Sequence, residues 1–342
     1  MREFENFTEC YISLLDEVYN SCEFISSPRG QKIKEKLGVT FKIKDPLHRC
    51  PFVVGRKFSP TYLAAEILWY LSGNNETEWI SNYSKFWSRI SDDGKTANSA
   101  YGARLFRENP VIADGRINQW EYVLEELRND PDSRRAVMHI RVPSDSVDAK
   151  LDVPCTLALQ FFIREGELHM VTTMRSSDLI FGIAYDIPAF TLFQEMLAID
   201  LGVGVGSYTH VSNSLHIYER HFGMVEEILA DKNVDLSIKS SSACGPMPGL
   251  DPSSFNQEAR AYWVSKLMNF EKEVRSQKST QEVINCYMRL REKLSKTEYL
   301  WNDIACLISV HRIKKLEGQE SEKVLNPCFY YPGFVFELGE ER

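Results

Sequence analysis

The chain has 342 residues, 43% of them hydrophobic and 26% charged, with a formal net charge of -8. That length makes one large domain or two ordinary ones, with enough apolar residues for a sizeable core. The acidic balance argues against a nucleic-acid groove, which needs a basic stripe, but it allows a small phosphate held by a few local arginines.

The start, "MREFENFTECYISLL", carries acids where a secretory leader would carry bases, so a cytoplasmic protein is expected. No apolar run reaches the roughly 18 residues of a membrane helix, and no membrane partner is expected. Residues 7, 11, 14, 15 and 18 are apolar, which predicts an amphipathic helix over 7–18. "SSPRGQKIKEKLG" reads as a mobile basic loop. "FSPTYLAAEILWYLSGN" predicts a helix with Ser59 as N-cap, Pro60 at its first position and Gly73 past its end. "PDSRRAVMHIRVP" turns into a strand, and 156–163 with 167–173 form a hairpin around "REGE". A helix over 188–201 closes at Gly202, and "GSYTHVSNSLHIYERHF" reads as a strand leading into a helix.

To about residue 230 the irregular mixture of strands and helices gives an α+β class. "SSSACGPMPGLDPSS" is a loop or linker by composition, and 262–274, 280–294 and 298–309 read as helices before the aromatic stretch "PCFYYPGFVFEL". The expected division is a core over 1–235 and a mostly helical extension over 236–342, packed on the core.

Eight cysteines, at 10, 22, 50, 155, 244, 286, 306 and 328, are scattered without a CxxC pair. Reduced thiols are expected, with neither a disulfide framework nor a metal site. Cys155 follows a proline at the head of a strand. It is either a small buried apolar residue or a nucleophile, and the second needs a nearby cation. Arg175, at the far end of the next strand, would be brought beside it by the hairpin.

Glu66 sits in "YLAAEILWYL", either facing solvent on a narrow polar face or buried with a raised pKa suited to acid–base work. Arg29, Arg134, Arg135 and Arg175 are surface arginines or phosphate holders, with Ser176 and Ser177 as further donors. Asp186 in "FGIAYDIPAF" either caps the helix that follows or reads the edge of a base. His216 and Tyr218 either hold a sugar hydroxyl or fill the interior.

Together, "AEILWYLSG", "FWSRISDDG" with "AYGARLFR", "NDPDSRRAV", "PCTLALQFFI", "MRSSDLIFGIAYDIPAF" and "SNSLHIYERH" resemble the thymidylate synthase family in order and spacing, over about 7–225. The resemblance implies an α+β thymidylate-synthase-like fold, a large mixed sheet flanked by helices, with the helical C-terminal addition outside it. It implies that Cys155 attacks C6 of a pyrimidine and that Glu66 orders water and relays protons. Arg29, Arg175 and Ser176 would bind phosphate, and Arg134 and Arg135 would reach that phosphate across a homodimer interface. His216 and Tyr218 would hold the 3'-hydroxyl. Trp87 and Tyr101 would lie near the folate, and Asp178 would serve both nucleotide and folate. The co-substrate implied is 5,10-methylenetetrahydrofolate.

One departure redirects the substrate. Family members that act on dUMP carry asparagine where this chain has Asp186. An amide matches O4 and N3–H of uracil, whereas cytosine presents an N4 donor and an N3 acceptor. A carboxyl group accepts from the amine and, when protonated, donates to N3. Aspartate here resembles the cytidylate hydroxymethylase branch, which implies CMP or dCMP as substrate, with CMP favoured because of the long addition. Other departures are Met174 before the arginine, the loop "SSPRGQK", and a tail "FELGEER" without a short apolar end. A looser lid suits water as the last nucleophile. The alternatives are thymidylate synthesis from dUMP, cytidylate 5-methylation and a catalytically silent nucleotide-binding protein.

Overall fold

The structure is a computed structural model. It describes residues 1–51, 53, 55–56, 58–107, 118–146, 150–230 and 249–318. The expected 235/236 division, Cys244, Cys328, the last aromatic stretch and the chain end lie outside the described residues.

Among the described residues, eight strands form one mixed sheet: β1 (Arg2–Phe4), β2 (Phe24–Ser26), β3 (Ile33–Ile43), β4 (Val137–His139), β5 (Thr156–Arg164), β6 (Glu167–Met174), β7 (Ser177–Asp178) and β8 (Gly204–Tyr218). The order is β1-β3-β8-β6-β5-β4, with β2 on β3 and β7 on β8. β6 and β7 run parallel to β8, while β3 runs antiparallel to it. The start of β5 (Thr156 opposite Met174), the end of β6, the end of β8 and the start of β3 (Ile33 opposite Tyr218) therefore meet at one end of the sheet.

The helices are α1 (Phe7–Asn20), α2 (Pro60–Leu71), α3 (Thr77–Ile80), α4 (Phe86–Ile90), α5 (Tyr101–Phe106), α6 (Gln119–Asn129), α7 (Ile183–Leu201), α8 (Phe222–Ala230), α9 (Pro252–Phe255), α10 (Gln257–Ser276), α11 (Thr280–Arg291) and α12 (Tyr299–Glu317). Among the described residues none is long and apolar enough to cross a membrane. α2 starts as its sequence predicts, with Ser59 Oγ accepting from Tyr62 N at 3.3 Å. Its residues are almost all buried because it is covered on two sides. Tyr62 and Tyr70 meet Tyr185 and Phe193 of α7. Leu63 and Ile67 face Leu300, Ile304 and Leu307 of α12 around a small apolar cavity.

Two expectations need correction. Of the segment predicted as a mobile basic loop, residues 33–38 belong to β3, a central partner of β8, and only the turn before them is outside a strand. The charges on the strand misled because they have partners elsewhere in the fold: Lys34 Nζ donates to the Tyr19 carbonyl at 2.6 Å, and Lys36 pairs with Glu17 at 2.7 Å. The helix predicted over 188–201 begins at Ile183, with Gly182 as N-cap. Pro188 thus lies inside it, and Asp186 is a first-turn residue that caps nothing. Packing outweighs the hydrogen bond that proline forfeits, since nearly the whole of α7 is buried.

The C-terminal helices pack directly on this body, α12 against α2 and α10 and α11 against α12. A buried ion pair, Arg49–Glu195 at 2.6 Å, joins the core to them through Leu250 N, which donates to Glu195 Oε1 at 2.6 Å.

Candidate active site

The sheet end where β3, β5, β6 and β8 meet carries a cleft of about 430 Å³. Arg29, Arg175, Ser176, His216 and Tyr218 line it together, although they come from distant parts of the sequence. Arg29 stands in the short turn before β3 with φ 52°, a left-handed conformation uncommon outside glycine. Arg175 and Ser176 link β6 to β7.

Cys155 precedes β5, next to a register shift between Thr156 and Ala158 that re-aims the strand start. Arg175 N donates to the Cys155 carbonyl at 2.9 Å, and its Nη2 stands 3.7 Å from Sγ. The guanidinium is fixed by the carbonyls of Pro154 and Val153, at 2.9 and 2.8 Å. Burial pushes the Cys155 thiol above its ordinary value, Arg175 pulls it down, and Asp186 pushes it up. Burial outweighs the neighbouring cation, so the thiol is not ionised by Arg175 alone.

A second polar group is centred on α2. Glu66 is buried and accepts from the Tyr62 hydroxyl at 2.6 Å and the Tyr70 hydroxyl at 3.1 Å. Trp87 Nε1 donates to the Tyr62 hydroxyl at 3.0 Å, and Tyr70 stacks on Tyr101 at 5.5 Å. Burial lifts the Glu66 pKa to about 7 against the lowering effect of the two tyrosines. Of the two readings of Glu66, the buried one holds.

Asp186 is half-buried, and no side chain or backbone group among the described residues hydrogen-bonds its carboxyl. Burial, then the charges of Glu66 and Asp178, push its pKa to about 8. Near neutral pH it is mainly a neutral acid with a donor to offer. Asp178 Oδ1 accepts from Ile180 N at 2.9 Å. Gly182 lies so close that a Cβ there would be 2.7 Å from the Asp178 carbonyl oxygen.

His216 is buried, with Nδ1 3.4 Å from Ser214 Oγ, and its ring meets Tyr218 edge-on at 5.1 Å. Arg134 and Arg135 are exposed before β4 and do not line this cleft. Several groups were missed from the sequence. Arg141 and Lys150 line the cleft beside Arg29 and Arg175. Glu35 does so too, opposite His216 across β3 and β8, accepting from the hydroxyls of Ser26 and Ser214. Tyr62 and Tyr70 stand four residues either side of Glu66, a helical spacing that could have flagged them. Among the described residues no three His, Cys, Asp or Glu side chains are grouped to hold a metal.

A cleft lined by cationic side chains, a thiol beside a guanidinium and two neutral-pH acids make a site suited to a phosphorylated ring under nucleophilic attack. Comparison with known proteins agrees with that chemistry. A 224-residue stretch is 36% identical to the deoxyuridylate hydroxymethyltransferase of Bacillus phage SP01, covering 63% of this chain and 58% of that protein. Another of 154 residues is 29% identical to the thymidylate synthase of Bacillus phage phi3T, covering 45% and 55%. The chain thus spans under two thirds of the length of these relatives. The fold superposes on thermostable thymidylate synthase A from Bacillus subtilis with a TM-score of 0.56 at 22% identity, over 66% of this chain and 85% of that one. The family model for thymidylate synthase matches residues 9–244, a segment that includes every residue of the cleft and of the Glu66 group, and the chain belongs to the thymidylate synthase family.

Proposed function

We propose that this chain is a folate-dependent transferase that places a hydroxymethyl group on C5 of a cytidine monophosphate, through a bond between Cys155 and C6 of the ring. The observation that carries the reading is Asp186: a half-buried acid, held mainly protonated, beside the Cys155–Arg175 pair. Its hydroxyl donates to cytosine N3 and its carbonyl oxygen accepts from N4. The hydroxymethyl outcome has a counterpart in the phage SP01 relative, whose name gives deoxyuridylate as its substrate.

The phosphate docks on Arg29, Arg175 and Ser176, with Arg141 and Lys150 adding charge. Arg134 and Arg135, exposed and away from this cleft, reach the phosphate from a second copy of the chain in a homodimer. His216 and Tyr218 hold the 3'-hydroxyl. Glu35, an acceptor beside His216, takes a ribose hydroxyl, which favours CMP over dCMP.

Protonation of Asp186 removes a negative charge next to Cys155, and the thiolate forms more readily as C6 is attacked. Charge that builds toward N3 is met by the Asp186 proton. Glu66, poised near neutrality and steadied by Tyr62 and Tyr70, moves the C5 proton and orients water.

Methylenetetrahydrofolate supplies the one-carbon unit when bound. The residues present fit such a group: the buried aromatics Trp87 and Tyr101 suit a flat heterocycle, and Asp178, half-buried with Oδ1 already engaged, keeps Oδ2 to accept from an amino group. Hydroxymethylation of dUMP is the second reading, favoured by the name of the phage SP01 relative.

The test follows tritium at C5 of CMP, dCMP and dUMP in the presence of methylenetetrahydrofolate. Release from CMP, abolished in Cys155→Ala while calorimetric CMP binding persists, is expected. Full release by Cys155→Ala, or release from dUMP alone, overturns the reading.

A further inference from the structure

Helices α9–α12 lie beyond the segment shared with the family. Their contacts reach both ends of the hydrogen-bond chain that runs from Trp87 through Tyr62 to Glu66. On one side, α12 packs on α2 over Leu63, Ala64 and Ile67, on the face next to the one that bears Tyr62, Glu66 and Tyr70. On the other, it holds the turn between α3 and α4. The Asn82 carbonyl lies 2.9 Å from His311 Nε2 and accepts from Lys315 Nζ at 2.6 Å. Lys315 also donates to Asn82 Oδ1 at 2.6 Å.

α10 adds Glu271, whose Oε1 accepts from Asn82 Nδ2 and from the Tyr83 hydroxyl, both at 3.4 Å. The His311 ring lies 4.3 Å from the Tyr83 ring. Burial and the nearby Lys315 charge lower the His311 pKa to about 4, so near neutrality its ring is uncharged and, with Nε2 protonated, donates to Asn82. Three residues after Tyr83, α4 begins, and it carries Trp87.

We propose that α10 and α12 are a positioning device for the active site: through Asn82 and Tyr83 they fix the arm bearing Trp87 against α2, and so hold the chain that ends on Glu66. Helices that only added stability would have no need to grip this turn from two directions. The displacement needed to matter is small, since misplacing a reacting group by about 1 Å can cost about a hundredfold in rate.

The kinetic test rests on the folate-dependent turnover proposed above. Full-length protein is compared with His311→Phe/Lys315→Met, which removes both donors to the Asn82 carbonyl, and with His311→Gln/Lys315→Arg, which restores them. The first variant is expected to lose about tenfold or more in kcat/KM for methylenetetrahydrofolate, with CMP affinity by calorimetry within about twofold, and the second to recover it. Unchanged kcat/KM, with or without a lower melting temperature, overturns the proposal, as does an equal loss of CMP affinity.

Hydrogen exchange over residues 62–70 and 81–91 gives an answer without turnover. Faster exchange in the first variant, reversed in the second, supports the proposal, and identical exchange refutes it. Absence of wild-type turnover would count against the functional reading alone.

Discussion

Asp186→Asn probes the acid on which substrate choice depends. The native carboxyl has a pKa of about 8, against 3.8 when unperturbed. A folded-state pKa raised in this way means that the native protein keeps a proton the unfolded chain gives up. Its contribution is fully present below the unfolded value and is lost as pH rises through the folded one. Between those values the loss runs at about 1.4 kcal/mol per pH unit, so from pH 5 to pH 8 the carboxyl costs on the order of 4 kcal/mol. Asparagine does not titrate, and Glu66, which is shifted in the same direction, is common to both proteins. Urea unfolding at pH 5, 6.5 and 8 should show wild type losing that much more than the variant. Parallel curves would refute the placement of a neutral acid at 186. The same variant should move the kcat/KM preference from cytidylate toward uridylate. Two mispaired polar groups at about 1–3 kcal/mol each amount to a factor of about 30 to about 2 × 10⁴.

Three further changes test other parts of the account. Gly102→Ala would place a Cβ 2.0 Å from the Tyr70 carbonyl oxygen, forcing α5 off α2. A loss of about 3 kcal/mol or more is expected in thermal melting, and an unchanged midpoint contradicts the packing. Glu35→Gln should lower kcat/KM for CMP about tenfold more than for dCMP, and equal losses would place Glu35 away from the 2'-hydroxyl. Arg175→Gln removes the cation that draws the Cys155 thiol down, so alkylation of Cys155 should move to higher pH. An unmoved profile, followed by mass spectrometry, would deny the pairing.

The local elements were the most legible part of the fold. The hairpin of β5 and β6 followed from alternation about "REGE", where Glu165 and Gly166 adopt positive φ. The bounds of α2 followed from Ser59, Pro60 and Gly73. β3 was hidden because its lysines and glutamate suggest solvent, and only the fold reveals their partners in α1 and β8. Glu66 could not be decided from spacing, because the helix that seals the other face of α2 lies more than two hundred residues away. Proximity of Arg175 to Cys155 was readable from hairpin length, but the balance between burial and that cation was not. Arg141, Lys150 and Glu35 share no motif with the other cleft residues, and three-dimensional convergence alone unites them. α7 started five residues earlier than expected, because a proline tolerated inside a buried helix looks in sequence like a helix start.

The central claim is that this cleft converts a cytidylate and leaves folate unoxidised. Purified protein incubated with methylenetetrahydrofolate and, in parallel, CMP, dCMP and dUMP, followed by mass spectrometry of nucleotide and folate, tests it most directly. CMP heavier by one CH₂O, with tetrahydrofolate released, is the predicted result. A thymidylate product with dihydrofolate, or no change in either cytidylate, would contradict it.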